Sequence, residues 1–243
     1  MRRKFSIDVR VCKVKIHEMS PAEKKVALAE VRVMNQFDSK FVVRCEGESF
    51  IEDDHLNLIL EYCDAGDVKQ YLGRQKKPLK EKTVQRIIVQ LLLGLYHIHS
   101  KRVIHRDIKA ANLFLCSHMR RVKIGDLGVA RTLGATSSMA QTMVGTPYYM
   151  SPELVQGEPY NVKSDVWAAG CLLYELMTLK HPFNGSNQAV LLLTIMKGKY
   201  EPVESFGGVS ASDAFNPLYP HLTVLTVNSA VPIRTTPMNS EIC

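Results

Sequence analysis

The sequence predicts an α+β fold, rich in strands at its N-terminal end and helical beyond it. Three observations carry this expectation. Residues 9–16 alternate as a strand, with Val9, Val11, Lys13 and Lys15 on one side. Residues 41–43 and 56–60 read as two more short strands. From Asp64 the pattern changes to long helices, clearest over 83–100, where Val84, Ile87, Ile88, Leu91, Leu92, Leu95 and Ile98 recur at helical spacing.

A single helix interrupts the strand-rich region, beginning at Ser20. Ser20-Pro21-Ala22-Glu23 supplies a capping hydroxyl, a proline in the first turn and a glutamate three residues on. Val26, Ala29, Glu30, Val33 and Phe37 then follow at helical intervals. Beyond the long helix, 113–115 and 122–124 read as strands, 128–145 as a loop rich in Gly, Ser and Thr, and 162–179 and 188–196 as helices. From Phe206 to the end only Asp213, Arg234 and Glu241 are charged and no amphipathic helix is evident, so a loose tail is expected. The expected division is 1–63, 64–203 and a divergent, poorly structured 204–243.

Bulk composition narrows the function classes. Of 243 residues, 46% are hydrophobic and 23% charged, enough for a real core. No stretch of 18 uncharged apolar residues occurs, and the N-terminal Met1-Arg2-Arg3-Lys4 is not followed by an apolar block, so neither a membrane span nor a secretory signal is expected. The six cysteines form no C-x-x-C pair, which fits scattered reduced thiols and a cytoplasmic location, with cytoskeletal or nuclear association as alternatives. The net charge of +7 is spread along the chain without interleaved aromatics, so no nucleic-acid partner is expected.

Four local signals follow one another in order. They are His105-Arg106-Asp107-Ile108-Lys109-Ala110-Ala111-Asn112, then Asp126-Leu127-Gly128, then the run from Gly145 through Thr146 to Glu153, then Asp165-Val166-Trp167 opening an apolar helix. Their chemistry suits phosphoryl transfer, which asks the protein for in-line positioning and for charge around the phosphates. A carboxylate such as Asp107 can accept the proton of an attacking hydroxyl. Mg2+ prefers oxygen ligands, which Asn112 and Asp126 can supply. Lys109 can reach a transferring phosphate as a point charge.

Over residues 9–201 the chain resembles the eukaryotic Ser/Thr protein kinases, most of all the NIMA-related group. VIHRDIKAANLFL is similar to the catalytic loop, IGDLGVAR to the metal-binding loop and VGTPYYMSPEL to the end of the activation segment. The resemblance implies a two-lobed kinase fold, with a small β-rich N-lobe and a helical C-lobe. It also implies transfer of the ATP γ-phosphate to Ser or Thr hydroxyls of protein substrates, with ATP and Mg2+ as cofactors. At matching positions, Asp107 is the expected catalytic base, with Lys109 and Asn112 beside it, and Asn112 and Asp126 hold Mg2+. Lys13 grips the α- and β-phosphates and pairs with Glu30, with Lys15 as the competing assignment. Leu60 is the gatekeeper, Glu61-Tyr62-Cys63 the hinge that meets adenine, and Asp67 lies near the ribose. Lys109 and Thr146 resemble the Ser/Thr class. Thr142 would take an activating phosphate from an upstream kinase, with Arg106 as its guanidinium partner.

Several conspicuous residues are read as structural. Asp165 is expected to cap its helix and pin the catalytic loop, His105 to pack in the core, and Trp167, Tyr148 and Tyr149 to pack likewise. The other histidines show no metal spacing. Two family features are not found: a Gly-rich phosphate loop ahead of Lys13, and the last helices with the arginine that pairs Glu153. The chain is therefore read as truncated at both ends and marginally stable, since an unpaired buried carboxylate costs several kcal/mol. A catalytically impaired binding or scaffold protein is the alternative function.

Overall fold

In the computed structural model the described residues are 9–17, 19–116, 119–126 and 146–203. β1 (Val9–Lys15), β2 (Phe50–Glu52) and β3 (His55–Glu61) form an antiparallel sheet in the order β1-β3-β2. Its register pairs Val9 with Glu61, Cys12 with Leu58 and Lys15 with His55. Side chains alternate along a strand and directly paired residues share a face. Arg10, Cys12 and Val14 therefore look the same way as Leu60, Leu58 and Leu56.

That face meets α1 (Pro21–Met34). Ala27, Val31 and Met34, at helical spacing, pack with Ile16, Leu56 and Leu58 in a small buried cluster, edged by Val14, Cys45 and Leu60. The side chains of Val26, Ala29, Glu30 and Val33 lie outside the described set. Phe37 is buried, but beyond the end of α1 and in the larger core.

Residues 41–43 correct the strand expected there. The segment is irregular, with Val42 bridged in parallel to Ile124, Ile124 N–H donating to Phe41 O and Val43 N–H to Ile124 O. A short apolar run suits a buried connection as well as a strand, and here the partner of Val42 is 82 residues away in sequence. The unforeseen strand is Phe50–Glu52, whose three residues are all exposed, so no burial pattern marks it.

The helical region contains α2 (Val68–Gly73), α3 (Glu81–Ser100), α4 (Pro152–Val155), α5 (Val162–Thr178) and α6 (Gln188–Lys197), with the hairpin β4 (Leu113–Cys116) and β5 (Arg121–Ile124) between α3 and α4. α3 packs on α5 and β5 through its apolar stripe. Burial of each such Leu or Ile contributes roughly 1.5–3 kcal/mol. The approach is close at Gly94, where a Cβ would lie 2.7 Å from Ile124 Cδ1 and 2.9 Å from Phe41 O.

α5 is capped by Asn161, whose side chain accepts from Lys163 N–H in a capping box with Ser164. Asp165 stands one residue past that box, so it is not the cap; its carboxylate points to the catalytic-loop backbone instead. Residues 204–243, and the whole of the 128–145 loop expected from the sequence, lie outside the described residues. Among the described residues no helix is long and apolar enough to cross a membrane.

Candidate active site

The loop from His105 to Asn112 is held from below by Asp165 of α5, which is fully buried. Its carboxylate accepts the backbone N–H groups of His105 and Arg106, each at 2.9 Å, and the Tyr160 hydroxyl at 3.1 Å. His99 Nε2 lies 2.8 Å from Asp165 Oδ2. Burial alone would raise the Asp165 pKa, but the His99 hydrogen bond, the nearby His105 and the donated N–H groups outweigh it and hold the carboxyl below its usual range.

His105 is the second fastener. Its Nε2 lies 2.9 Å from Gly125 O, and Asp107 N–H points to its Nδ1 at 3.2 Å. A proton on Nε2 and a lone pair on Nδ1 satisfy both contacts, which is the neutral tautomer. Burial lowers the His105 pKa and favours that form. One imidazole thus ties the backbone of Asp107 to the residue preceding Asp126, and the core reading of His105 stands.

Above these supports the polar side chains converge. Lys109 Nζ lies 2.7 Å from Asp107 Oδ2. Asn112 Nδ2 donates to Asp107 O at 2.8 Å and to Asp107 Oδ2 at 2.9 Å. A 3-10 turn at Ala110–Asn112 places the amide, and Gly125 N–H returns to Asn112 O at 3.0 Å. Asp126 follows with φ 58°, a left-handed conformation that turns the chain out of β5 and leaves its side chain exposed.

Lys13 stands in β1. It is exposed, and it pairs with Asn57 on the face of β1 opposite Cys12. Lys15 shares that face, so the alternation that grouped the two lysines also keeps both away from α1. The residue on the α1 side is Cys12, whose thiol pKa is raised by burial and then by the charge of Asp126. The Lys13–Glu30 pairing is thus not supported from the Lys13 side, and the Glu30 side chain lies outside the described residues, as does Thr142.

Glu61 ends β3 and its carboxylate lies 2.8 Å from Lys123 Nζ of β5. Cys63 follows in the connection to α2, where the neighbouring Cys116 and then burial push its thiol pKa up. Asp67 is the N-cap of α2, accepting from Gln70 N–H at 2.8 Å. Arg106 is exposed with φ 69°. Thr146 is exposed, and its carbonyl accepts from Tyr148 N–H at 3.0 Å. Trp167 stacks on Phe183 and Tyr148 on His181, as packing residues do. Glu153 accepts from Ser164 Oγ at 2.7 Å, a partner unforeseen in the sequence.

Cys12 and Lys123 were missed by sequence reasoning. Strand alternation could have flagged Cys12, once the α1 face was known. Lys123 carries no local signal, because only the meeting of β3 with β5 gives it a counter-charge.

The protein kinase domain family matches residues 4–214. The chain belongs to the protein kinase family. Serine/threonine-protein kinase Nek5 of Homo sapiens is 41% identical over 200 residues, covering 81% of this chain and 28% of that protein. Serine/threonine-protein kinase Nek1 of Mus musculus is 41% identical over 191 residues, covering 78% of this chain and 16% of that protein. Serine/threonine-protein kinase Nek3 of Mus musculus is 47% identical over 157 residues, covering 64% of this chain and 30% of that protein. The chain thus spans less than a third of each of these curated relatives, all of them NIMA-related Ser/Thr kinases.

Proposed function

We propose that this kinase chain transfers the γ-phosphate of ATP, with Mg2+, to Ser or Thr hydroxyls of protein substrates. The single observation that carries the reading is the convergence of Lys109 and Asn112 on the Asp107 carboxylate. Asp107 is the base that receives the proton of the incoming hydroxyl, and Lys109 sits where a cation can also meet the transferring phosphate.

The donor set suits a hard cation. Both contacts of Asn112 Nδ2 go to Asp107, so the amide oxygen is the atom with which Asn112 can ligate. Asp126 offers a carboxylate held outward by its backbone. Bound Mg2+ would neutralise phosphate charge, and these oxygens would fix its place. Glu61 and Cys63 would meet adenine through their backbone and Asp67 would face the ribose. On the α1 face of β1 the cation is Arg10, two residues before Cys12.

Regulation belongs to the same proposal. An upstream kinase would phosphorylate Thr142, and Arg106 would receive the phosphate beside the catalytic loop. Thr146 would contribute to acceptor recognition. A cytoplasmic location is supported by the free thiols at Cys12, Cys45, Cys63, Cys116 and Cys171.

The test is transfer of radiolabel from γ-labelled ATP to a casein-like substrate by the intact chain, beside Asp107→Asn. Label on substrate with the parent and none with the variant supports the reading. A folded parent that transfers no label overturns it and leaves the binding or scaffold function.

A further inference from the structure

The apolar stripe of α3 is buried against α5 and β5. The rest of the helix surface exposes Lys82, Arg86, Val89, Leu93, Tyr96 and Ser100, spaced alternately four and three residues apart. That spacing makes the narrow seam along which two helices pair. The middle of the row is apolar. Val89 is 38% exposed, Leu93 44% and Tyr96 55%, so three neighbours in line present apolar surface to solvent. Single exposed apolar residues are ordinary, but a contiguous set marks an interaction surface.

Cations frame this apolar middle. Lys82 and Arg86 precede it in the row, and the exposed Lys76, Lys77 and Lys80 lie just ahead of α3. Lys101 and Arg102, both exposed, follow Ser100. The Gln90 side chain fastens the β4–β5 turn beside the row. Its amide nitrogen donates to Arg120 O at 3.3 Å, and its oxygen accepts from Val122 N–H at 3.1 Å. The exposed Arg120 and Arg121 thus stand next to the middle of the row. Glu81 is the one carboxylate from Arg74 to Arg102, and it accepts from the Gln85 side chain.

This pattern selects among occupants. A second copy of α3 would set cation against cation at both ends, whether the helices ran parallel or antiparallel. A nucleic-acid backbone would match the cations but leave Val89, Leu93 and Tyr96 against phosphate and water. A helix with an apolar centre and acidic ends satisfies the seam and the charges together. We propose that the exposed face of α3 docks an amphipathic helix of a protein partner, apolar at its centre and acidic at both ends. Val89, Leu93 and Tyr96 receive the apolar residues, and the flanking lysines and arginines meet the carboxylates. None of these residues lies in the catalytic loop, so the proposal does not rest on the phosphotransfer reading.

The experiment titrates the intact chain into fluorescein-labelled helical peptides and follows anisotropy. One peptide carries leucines three and four residues apart with glutamates at both ends; in the second, lysines replace the glutamates. The parent should bind the glutamate peptide about tenfold or more tightly than the lysine peptide, and less tightly as salt is added. Leu93→Asp should weaken binding of the glutamate peptide about tenfold. Arg86→Glu should weaken the glutamate peptide and strengthen the lysine peptide, a crossover that misfolding does not produce. Melting curves of both variants should overlay that of the parent. The proposal is overturned if the parent binds neither peptide, if it binds both equally, or if both variants bind as the parent does. It is also overturned if sedimentation shows a dimer that Leu93→Asp dissociates, or if a DNA duplex binds the parent more tightly than the glutamate peptide. The comparison of the two peptides on the parent decides the matter whether or not Leu93→Asp folds.

Discussion

The backbone N–H of His105 ends 2.9 Å from the Asp165 carboxylate, so a side chain of α5 holds the turn that carries Asp107. Asp165 also takes the Arg106 N–H and approaches His99. Removal of its charge leaves these donors buried without an anion, which costs on the order of 3 kcal/mol. Asp165→Asn should lower the melting temperature by roughly 5–10 °C. A calorimetric scan checks this, and an unchanged midpoint would refute the anchoring role.

His105 gives a pH dependence of definite sign. Its folded pKa lies below the reference value of 6.5 because burial disfavours the charged ring. The unfolded chain therefore binds more protons than the folded one between those two values, and stability falls as pH drops below 6.5. Asp165, lowered from 3.8, adds a loss only in more acidic solution. Melting temperatures between neutral and mildly acid pH should decline for the parent and decline less steeply for His105→Gln.

Asp107 touches Lys109 and Asn112, and the Lys109 side chain is 37% exposed, so the ion pair contributes little to stability, about 1 kcal/mol or less. Its proposed proton transfer is worth roughly 10²–10⁴-fold in rate. Asp107→Asn should therefore abolish most label transfer while its melting curve overlays that of the parent. A large drop in melting temperature would mean that lost activity reports unfolding.

Lys13 faces away from the Cys12 side of β1. Lys13→Met should change Mg-ATP affinity by about twofold or less, equivalent to about 0.4 kcal/mol. Cys12→Lys would place an ammonium on the face that feels Asp126 and should tighten Mg-ATP binding. Nucleotide titration by calorimetry measures both. A severe loss in Lys13→Met would return Lys13 to the phosphates.

The Lys123–Glu61 pair joins the end of β3 to β5, with Lys123 almost wholly buried. Glu61→Gln leaves that ammonium without its counter-charge, at a cost of roughly 2 kcal/mol after allowance for the partial exposure of Glu61. Chemical denaturation should show the midpoint shift with an unchanged slope. A double variant with Lys123→Met should recover some of the loss.

Residue order was enough wherever local rules are in control. The helical stripe from Val84 to Ile98 is buried as its spacing requires, and the order from His105 to Asn112 was enough to bring Lys109 and Asn112 to Asp107. The eight residues from His105 to Asn112 carry Asp107, Lys109 and Asn112 within one short loop, which Asp165 and Gly125 hold in place. Packing between elements chose which side of β1 meets α1, and hence that Cys12 and not Lys13 looks towards Asp126. Packing also gave Lys123 its glutamate, Glu153 its serine and residues 41–43 their partner at Ile124. A strand's alternation defines two faces but does not say which is covered. Contacts between residues dozens of positions apart are set by how the elements pack, which no local pattern encodes.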